Sequence, residues 1–206
     1  MSRGRFIVFD GPDGAGKTTQ LARLARYLRD RGHAVLETRE PGGSPLAEAV
    51  RGLLLDDSHA DMPAESELLL MYAARHAHLQ QTVLPALAEG TQVLCDRYVD
   101  ASHAYQGAGR GLRPELLSTL DQTLPVEARP DRTLIFDLPD AVAEQRLAVR
   151  GAGDRFDAEP EGFRAAVREA FRQRAAAQPD SHRLIAAGDD IETVERAVHV
   201  ALEGLW

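Results

Sequence analysis

Arg5-Phe6-Ile7-Val8-Phe9-Asp10, followed directly by Gly11-Pro12-Asp13-Gly14-Ala15-Gly16-Lys17-Thr18-Thr19, is the stretch whose reading decides the fold. The run ending at Asp10 is short and apolar, as a buried parallel strand requires. Gly11 to Thr18 fit the pattern G-x-x-x-x-G-K-[ST], whose glycines let backbone N–H groups curl round a phosphate. Beyond the loop, Leu21, Leu24, Ala25 and Leu28 recur at helical spacing, and Gly32 is placed to end that helix. Strand, loop and helix in this order set a helix N-terminus behind the phosphate, adding positive dipole. Gly11 through Thr19 are therefore the candidate phosphate-binding residues. Lys17 would reach the outer phosphates, and the Thr18 hydroxyl would hold Mg²⁺.

Composition supports this placement. Lys17 is the only lysine among 24 basic side chains, and asparagine is absent. A phosphate loop needs a compact ammonium on a flexible stem, which a planar guanidinium does not imitate. At 206 residues the chain is long enough for one domain with a substantial core. A net charge of −8 argues against nucleic acid as a bulk partner. One cysteine, Cys95, excludes a disulfide framework within the chain and fits a reducing cytosol. No apolar run is long enough to span a membrane, and the first strand begins too early for a signal peptide. The expectation is a soluble, cytoplasmic protein with no membrane partner.

Strand and helix patterns alternate along the rest of the chain. Further strands are expected at 34–38, 92–96, 132–138 and 182–186. Helices are expected at 45–55, 64–89, from 114 to about 124, 161–177 and 191–205, with Pro85 kinking the second of these. Residues 97–111, rich in glycine and polar groups, read as an irregular segment. The alternation predicts an α/β fold: a five-stranded parallel sheet with helices on both faces, forming one domain over residues 1–206. No internal repeat or linker interrupts it.

In such a sheet, ligands sit beyond the carboxyl ends of the strands. Strand one ends in the phosphate loop, strand two in Arg39-Glu40-Pro41, and strand three in Asp96-Arg97-Tyr98. Strand four leads through a helix to Gly151–Asp157, which carries Arg155 with Arg150 just before it. Any one of these arginines alone reads as a surface charge. Converging on one site, they suit phosphoryl transfer between two anions, because each negative group must be neutralised before the other approaches. Asp96 reads as the acid supporting a Mg²⁺ shell, with a helix cap as the alternative. His76 and His78, two apart on a helix, point to different faces and make a poor metal pair.

Phe-Asp-Gly-Pro-Asp-Gly-Ala-Gly-Lys-Thr-Thr at 9–19, Thr-Arg-Glu-Pro-Gly-Gly at 38–43, Tyr-Ala-Ala-Arg at 72–75, Asp-Arg-Tyr-Val-Asp-Ala-Ser-His-Ala-Tyr-Gln-Gly at 96–107 and Arg-Pro-Asp at 129–131 occur in order. Together they closely resemble the bacterial thymidylate kinase family over essentially the whole chain. The resemblance implies a P-loop NTPase fold of the nucleoside monophosphate kinase type. It also implies transfer of the ATP γ-phosphate to dTMP with Mg²⁺, usually by a homodimer.

By the same resemblance, Asp13 binds the sugar 3′-hydroxyl and Arg97 holds the acceptor phosphate. Arg39 or the Glu40-Pro41 turn shapes that pocket, and Arg51 lies along its wall. Arg75 donates to thymine O4, Ser102 and Gln106 complete the base contacts, and Tyr105 crowds the sugar C2′. Lys17, Asp96, Arg97 and Arg155 are the expected catalytic set, with Thr18 and Asp96 at the metal. Where the family usually has a phenylalanine against the base this chain has Met71, with Tyr72 beside it. Where it often has the first of two serines stands Ala101. Gly14 occupies the loop position that in one branch carries a catalytic arginine. The chain thus resembles the branch that uses a lid, here about 150–160, with Arg150 and Arg155 as its cations. Another nucleoside or nucleotide kinase of this fold is the runner-up. A guanine-reading switch is excluded, because its Asn-Lys-x-Asp motif needs asparagine.

Overall fold

A computed structural model describes residues 3–139, 142, 143 and 161–206. Its core is a five-stranded sheet in the order β2-β3-β1-β4-β5, with β1 at Phe6–Asp10, β2 at Val35–Arg39, β3 at Gln92–Asp96, β4 at Arg132–Asp137 and β5 at His182–Ala186. Every neighbouring pair is parallel. The expected strands are all present, with ends shifted by a residue at most.

β1 explains why the sheet is covered on both sides. Its side chains alternate between faces, as a pleated strand dictates. Ile7 and Phe9 enter one core with Leu21, Leu24 and Leu28 of α1 (Lys17–Asp30) and Val194 and Val198 of the closing helix Ile191–Ala201. Phe6 and Val8 enter the opposite core with Leu79, Val83 and Leu87. All five residues of the strand are buried, which is why Phe6 to Phe9 read as a continuous apolar run before Asp10.

The long helical stretch expected at 64–89 is α3 (Ala64–His78), a π-helical turn at Leu79–Val83 and α4 (Leu84–Ala88). Pro85 supplies no N–H to the ladder, and the wide turn directly before it absorbs that gap. Gly90 ends the stretch at φ 84°.

Residues 97–111 correct the expectation of an irregular segment. They form α5 (Val99–Ser102), which runs on as a π-helix over His103–Gly109. Composition misled because Gly109 is there for packing: a Cβ would lie 2.4 Å from the Phe163 ring. Phe163 belongs to α7 (Glu161–Ala177), which packs on this π-helix, while α2 (Pro45–Leu55) packs on α3 and α6 (Pro114–Asp121) follows the π-helix. A buried carboxylate, Asp100, joins three of these elements: it accepts from Arg174 of α7 at 2.6 Å and contacts His182 of β5 at 3.0 Å. Among the described residues no helix is long and apolar enough to cross a membrane.

Candidate active site

The sheet order reverses direction between β1 and β3, so the crevice at their carboxyl ends is where a ligand fits this fold. The two loops leaving those strands are tied together. Arg97, just past β3, donates from Nη2 to Asp13 of the phosphate loop at 2.7 Å and from Nη1 to the Gly11 carbonyl at 3.0 Å. Tyr105 donates its hydroxyl to the other Asp13 oxygen at 2.7 Å. Arg97 itself sits at φ 71°, a left-handed backbone that costs a non-glycine residue on the order of 1–3 kcal/mol. Its N–H donates to the Phe9 carbonyl at 2.8 Å, which fixes that turn.

Asp10, fully buried at the end of β1, accepts from the N–H groups of Gly11, Tyr98 and Ala101 at 3.0–3.1 Å. Burial pushes its carboxyl up to about 7, against the pull of Arg97. At Asp13, burial also favours the neutral acid, but Arg97, Lys17 and the Tyr105 hydroxyl outweigh it and hold the carboxyl well below the usual range. Lys17 is buried and donates to the Gly11 and Pro12 carbonyls at 3.1 and 2.8 Å. Burial and the neighbouring Arg97 draw its ammonium below the ordinary lysine range. Helix α1 starts at this lysine with no acidic residue in its first turn, so nothing on the helix competes with an anion for its dipole.

At the far end of the crevice a second set of buried polar groups converges. Arg75 of α3 donates from Nε to Glu40 at 2.6 Å and from Nη2 to the Tyr98 carbonyl and Ser102 Oγ at 2.9 and 3.1 Å. His78, one turn on, contacts the other Glu40 oxygen at 3.0 Å and Thr38 Oγ1 at 2.7 Å. The Arg75 and Glu40 side chains are each 3% exposed. Arg75 Nη1 is buried with no partner among the described residues, a donor left over in a pocket wall.

One cavity of about 510 Å³ joins the two ends. It is lined by Asp13, Gly14, Gly16, Lys17, Thr18 and Thr19 of the loop, and by Asp96 and Arg97. Every residue expected in the base and acceptor pocket also lines it: Arg39, Glu40, Pro41, Arg51, Met71, Arg75, Ser102, Tyr105 and Gln106. Gly11, Pro12 and Ala15 of the loop are buried and do not line the cavity. Arg39 and Arg51 reach the wall while bonded elsewhere, Arg39 to Glu48 at 3.0 Å and Arg51 to the Pro41 carbonyl at 2.9 Å. Of the two neighbours left open by the sequence, Met71 lines the cavity. Tyr72 is turned into the core, its hydroxyl on Asp121. Arg150 and Arg155, and with them the expected lid, lie outside the described residues.

Sequence reasoning missed Asp10, Glu67 and the part played by His78. Arg75 and His78 are three apart and share a face of α3, a spacing that points both at one partner. Cys95 is a buried residue of β3, and burial pushes its thiol up.

For Mg²⁺, Thr18 Oγ1 donates to Asp96 Oδ2 at 2.9 Å, and Asp96 Oδ1 is buried without a partner among the described residues. Mg²⁺ is commonly held by one or two carboxylates, with water and substrate phosphates completing the shell. These hard oxygens beside the phosphate loop fit it.

Fold and loop together define a P-loop phosphotransferase with a second polar pocket beside its phosphate site. The family profile described as thymidylate kinase matches residues 9–198. A curated thymidylate kinase of Ectopseudomonas mendocina is 52% identical over 202 residues, 98% of this chain and 96% of the relative. One of Pseudomonas putida is 51% identical over 97% of each. The crystal structure of thymidylate kinase from Ehrlichia chaffeensis superposes with a TM-score of 0.79 at 33% identity, covering 98% of this chain and 99% of that one. The chain belongs to the thymidylate kinase family.

The coupling of Asp13 to Arg97 has a measurable sign. Replacing Arg97 by Met removes the largest influence lowering the Asp13 midpoint and leaves burial, which raises it. The Asp13 carboxyl ¹³C signal should therefore titrate at higher pH in Arg97→Met than in the wild type. An unchanged midpoint would show that the ion pair does not form in solution.

Proposed function

We propose that the chain transfers the γ-phosphate of ATP to dTMP, giving dTDP and ADP, with both nucleotides in the one cavity. The observation that carries the choice of acceptor is the spare donor of Arg75. Its other N–H groups are committed to Glu40, Tyr98 and Ser102, so the guanidinium is held rigid and Nη1 can only meet an acceptor. Thymine presents a carbonyl at C4, whereas cytosine presents an amino group. Met71 supplies the polarisable side chain that packs on the ring, and Tyr105 stands against the sugar C2′.

The residues then divide the work. The loop N–H groups and Lys17 take the donor phosphates, and Arg97 takes the acceptor phosphate between them and the base pocket. Asp13, kept ionised and oriented by Arg97 and Tyr105, accepts from the sugar 3′-hydroxyl. Arg39, Glu40 and Pro41 form the wall on the acceptor side, with Arg51 along it. Thr18 and Asp96 would hold Mg²⁺, which when bound neutralises phosphate charge. Because the cations are in place before reaction, their reorganisation costs little in the transition state. The homodimer implied by the resemblance belongs to the same proposal. Leu46 and Leu53 of α2 and Leu69 of α3, 53%, 47% and 56% exposed, support it as an apolar strip for a second copy, and sedimentation velocity reads that state.

With Gly14 unable to supply charge, the cation at the transferring phosphoryl group falls to Arg155, with Arg150 in a lesser part. Arg155→Ala should lower kcat by at least about 10²-fold while calorimetry shows dTMP affinity little changed. Loss of dTMP binding with fast single-turnover chemistry would move Arg155 to the acceptor pocket instead.

The acceptor is tested by ATP-dependent phosphorylation across a panel of nucleoside monophosphates. dTMP should be turned over best. dUMP, which lacks only the methyl, should fall by about 10–200-fold, and dCMP, with a polar mismatch in a buried site, by about 10⁴-fold. Comparable kcat/KM for dCMP and dTMP would overturn the assignment.

A further inference from the structure

Gln106 enters the cavity wall from the π-helix after α5, buried to 1% exposure. An amide has two ends of opposite hydrogen-bonding sense, and what a ligand meets depends on which end is turned toward it. Here the question is answered by a residue outside the cavity lining. Glu67, on α3 and completely buried, lies 2.8 Å from Gln106. A carboxylate can only accept, so the end of the amide facing it must be the NH₂ group. Arg110 Nη2 lies 3.5 Å from the other Glu67 oxygen, so the carboxylate is held from both sides. The NH₂ group is thus held behind the wall, and the carbonyl oxygen is what Gln106 retains for a ligand.

We propose that Glu67 is a specificity-positioning residue: by holding the Gln106 amide in one orientation it makes the pocket require an N–H at position 3 of the pyrimidine. The inference rests on dTMP being the acceptor. Thymine and uracil carry hydrogen on N3. Cytosine carries a lone pair there, which would face the Gln106 oxygen and leave two acceptors opposed in a buried site. Arg75 and Gln106 then read neighbouring atoms of the base edge in opposite senses, donor to C4 carbonyl and acceptor to N3–H. Glu67 touches neither substrate nor reacting atoms. Its effect passes entirely through the amide.

Glu67→Gln separates this role from simple packing, since it preserves shape and burial. Two facing amides can pair either way round, so Gln106 becomes free to turn its NH₂ toward the base. The measurement is kcat/KM for dTMP, dUMP and dCMP in the wild type, Glu67→Gln and Gln106→Leu, with thermal unfolding alongside. In Glu67→Gln the dCMP-to-dTMP ratio should rise by roughly 10-fold or more, while the dUMP-to-dTMP ratio stays as in the wild type, because uracil has the same N3–H. Gln106→Leu, which removes the acceptor, should narrow the dTMP-to-dCMP gap in the same direction, and Glu67→Met, which leaves the amide unheld, carries the test if Glu67→Gln fails to fold. Equal losses for all three nucleotides in both variants would overturn the inference and reduce Glu67 to packing. A narrowed gap in Gln106→Leu, with none in a folded Glu67→Gln, would also overturn it. A wild type that does not prefer dTMP would instead fail the substrate assignment, a result visible before either variant is made.

Discussion

The ion pair between Arg97 and Asp13 is the joint on which the site depends. Lys17 and Arg97 bring two positive charges together in the crevice, and they repel each other unless something fixes their places. Asp13 does so by taking Arg97 at 2.7 Å from within the phosphate loop itself. The backbone of Arg97 is held in a strained turn to make that reach possible. Asp10 closes the same joint from below: one fully buried carboxylate gathers the first N–H of the phosphate loop and two N–H groups from the segment after β3. The carboxyl ends of β1 and β3 therefore act as one rigid unit. Rigidity matters here because a donor and an acceptor misplaced by about 1 Å can lose about 10²-fold in rate.

The far end of the cavity is held by a different kind of contact. Glu40 and Arg75 form an ion pair almost wholly removed from water. Such pairs seldom add net stability, because the desolvation of both charges offsets their attraction, and removing one partner costs about 3–5 kcal/mol. What the pair contributes is direction. Glu40 is itself gripped by His78, which is gripped by Thr38, so the chain of contacts from β2 through α3 leaves Arg75 one orientation. A buried donor held that firmly discriminates between a carbonyl and an amino group far better than an apolar pocket discriminates a methyl.

Much of this was legible in the sequence, and the boundary is physical. The strand, loop and helix around Lys17 could be read because each is a local pattern: an apolar run, a glycine spacing, a 3.6-residue period. Asp96 and Arg97 could be placed because a strand end in a parallel sheet points at the crevice whatever the tertiary detail. The helix at 99–109 was hidden because Gly107 and Gly109 look like breakers, and only the approach of Phe163 explains the second. Glu40 looked like one polar residue in a turn. Its importance comes from Arg75 and His78, far along the chain, whose i, i+3 spacing turns both toward it. Asp10 read as the end of a strand, and Glu67 as an ordinary helix acid. Buried carboxylates cannot be told from exposed ones until the elements around them are packed.

In the proposed function, donor and acceptor nucleotides share one continuous cavity and meet at Lys17 and Arg97. Calorimetry with a bisubstrate analogue, adenosine and thymidine joined 5′ to 5′ through a polyphosphate, tests it most directly. Binding one-to-one, far tighter than either ATP or dTMP alone, and competition against both are the predicted results. An analogue that competes with ATP alone, and binds no tighter than ATP, would contradict the account.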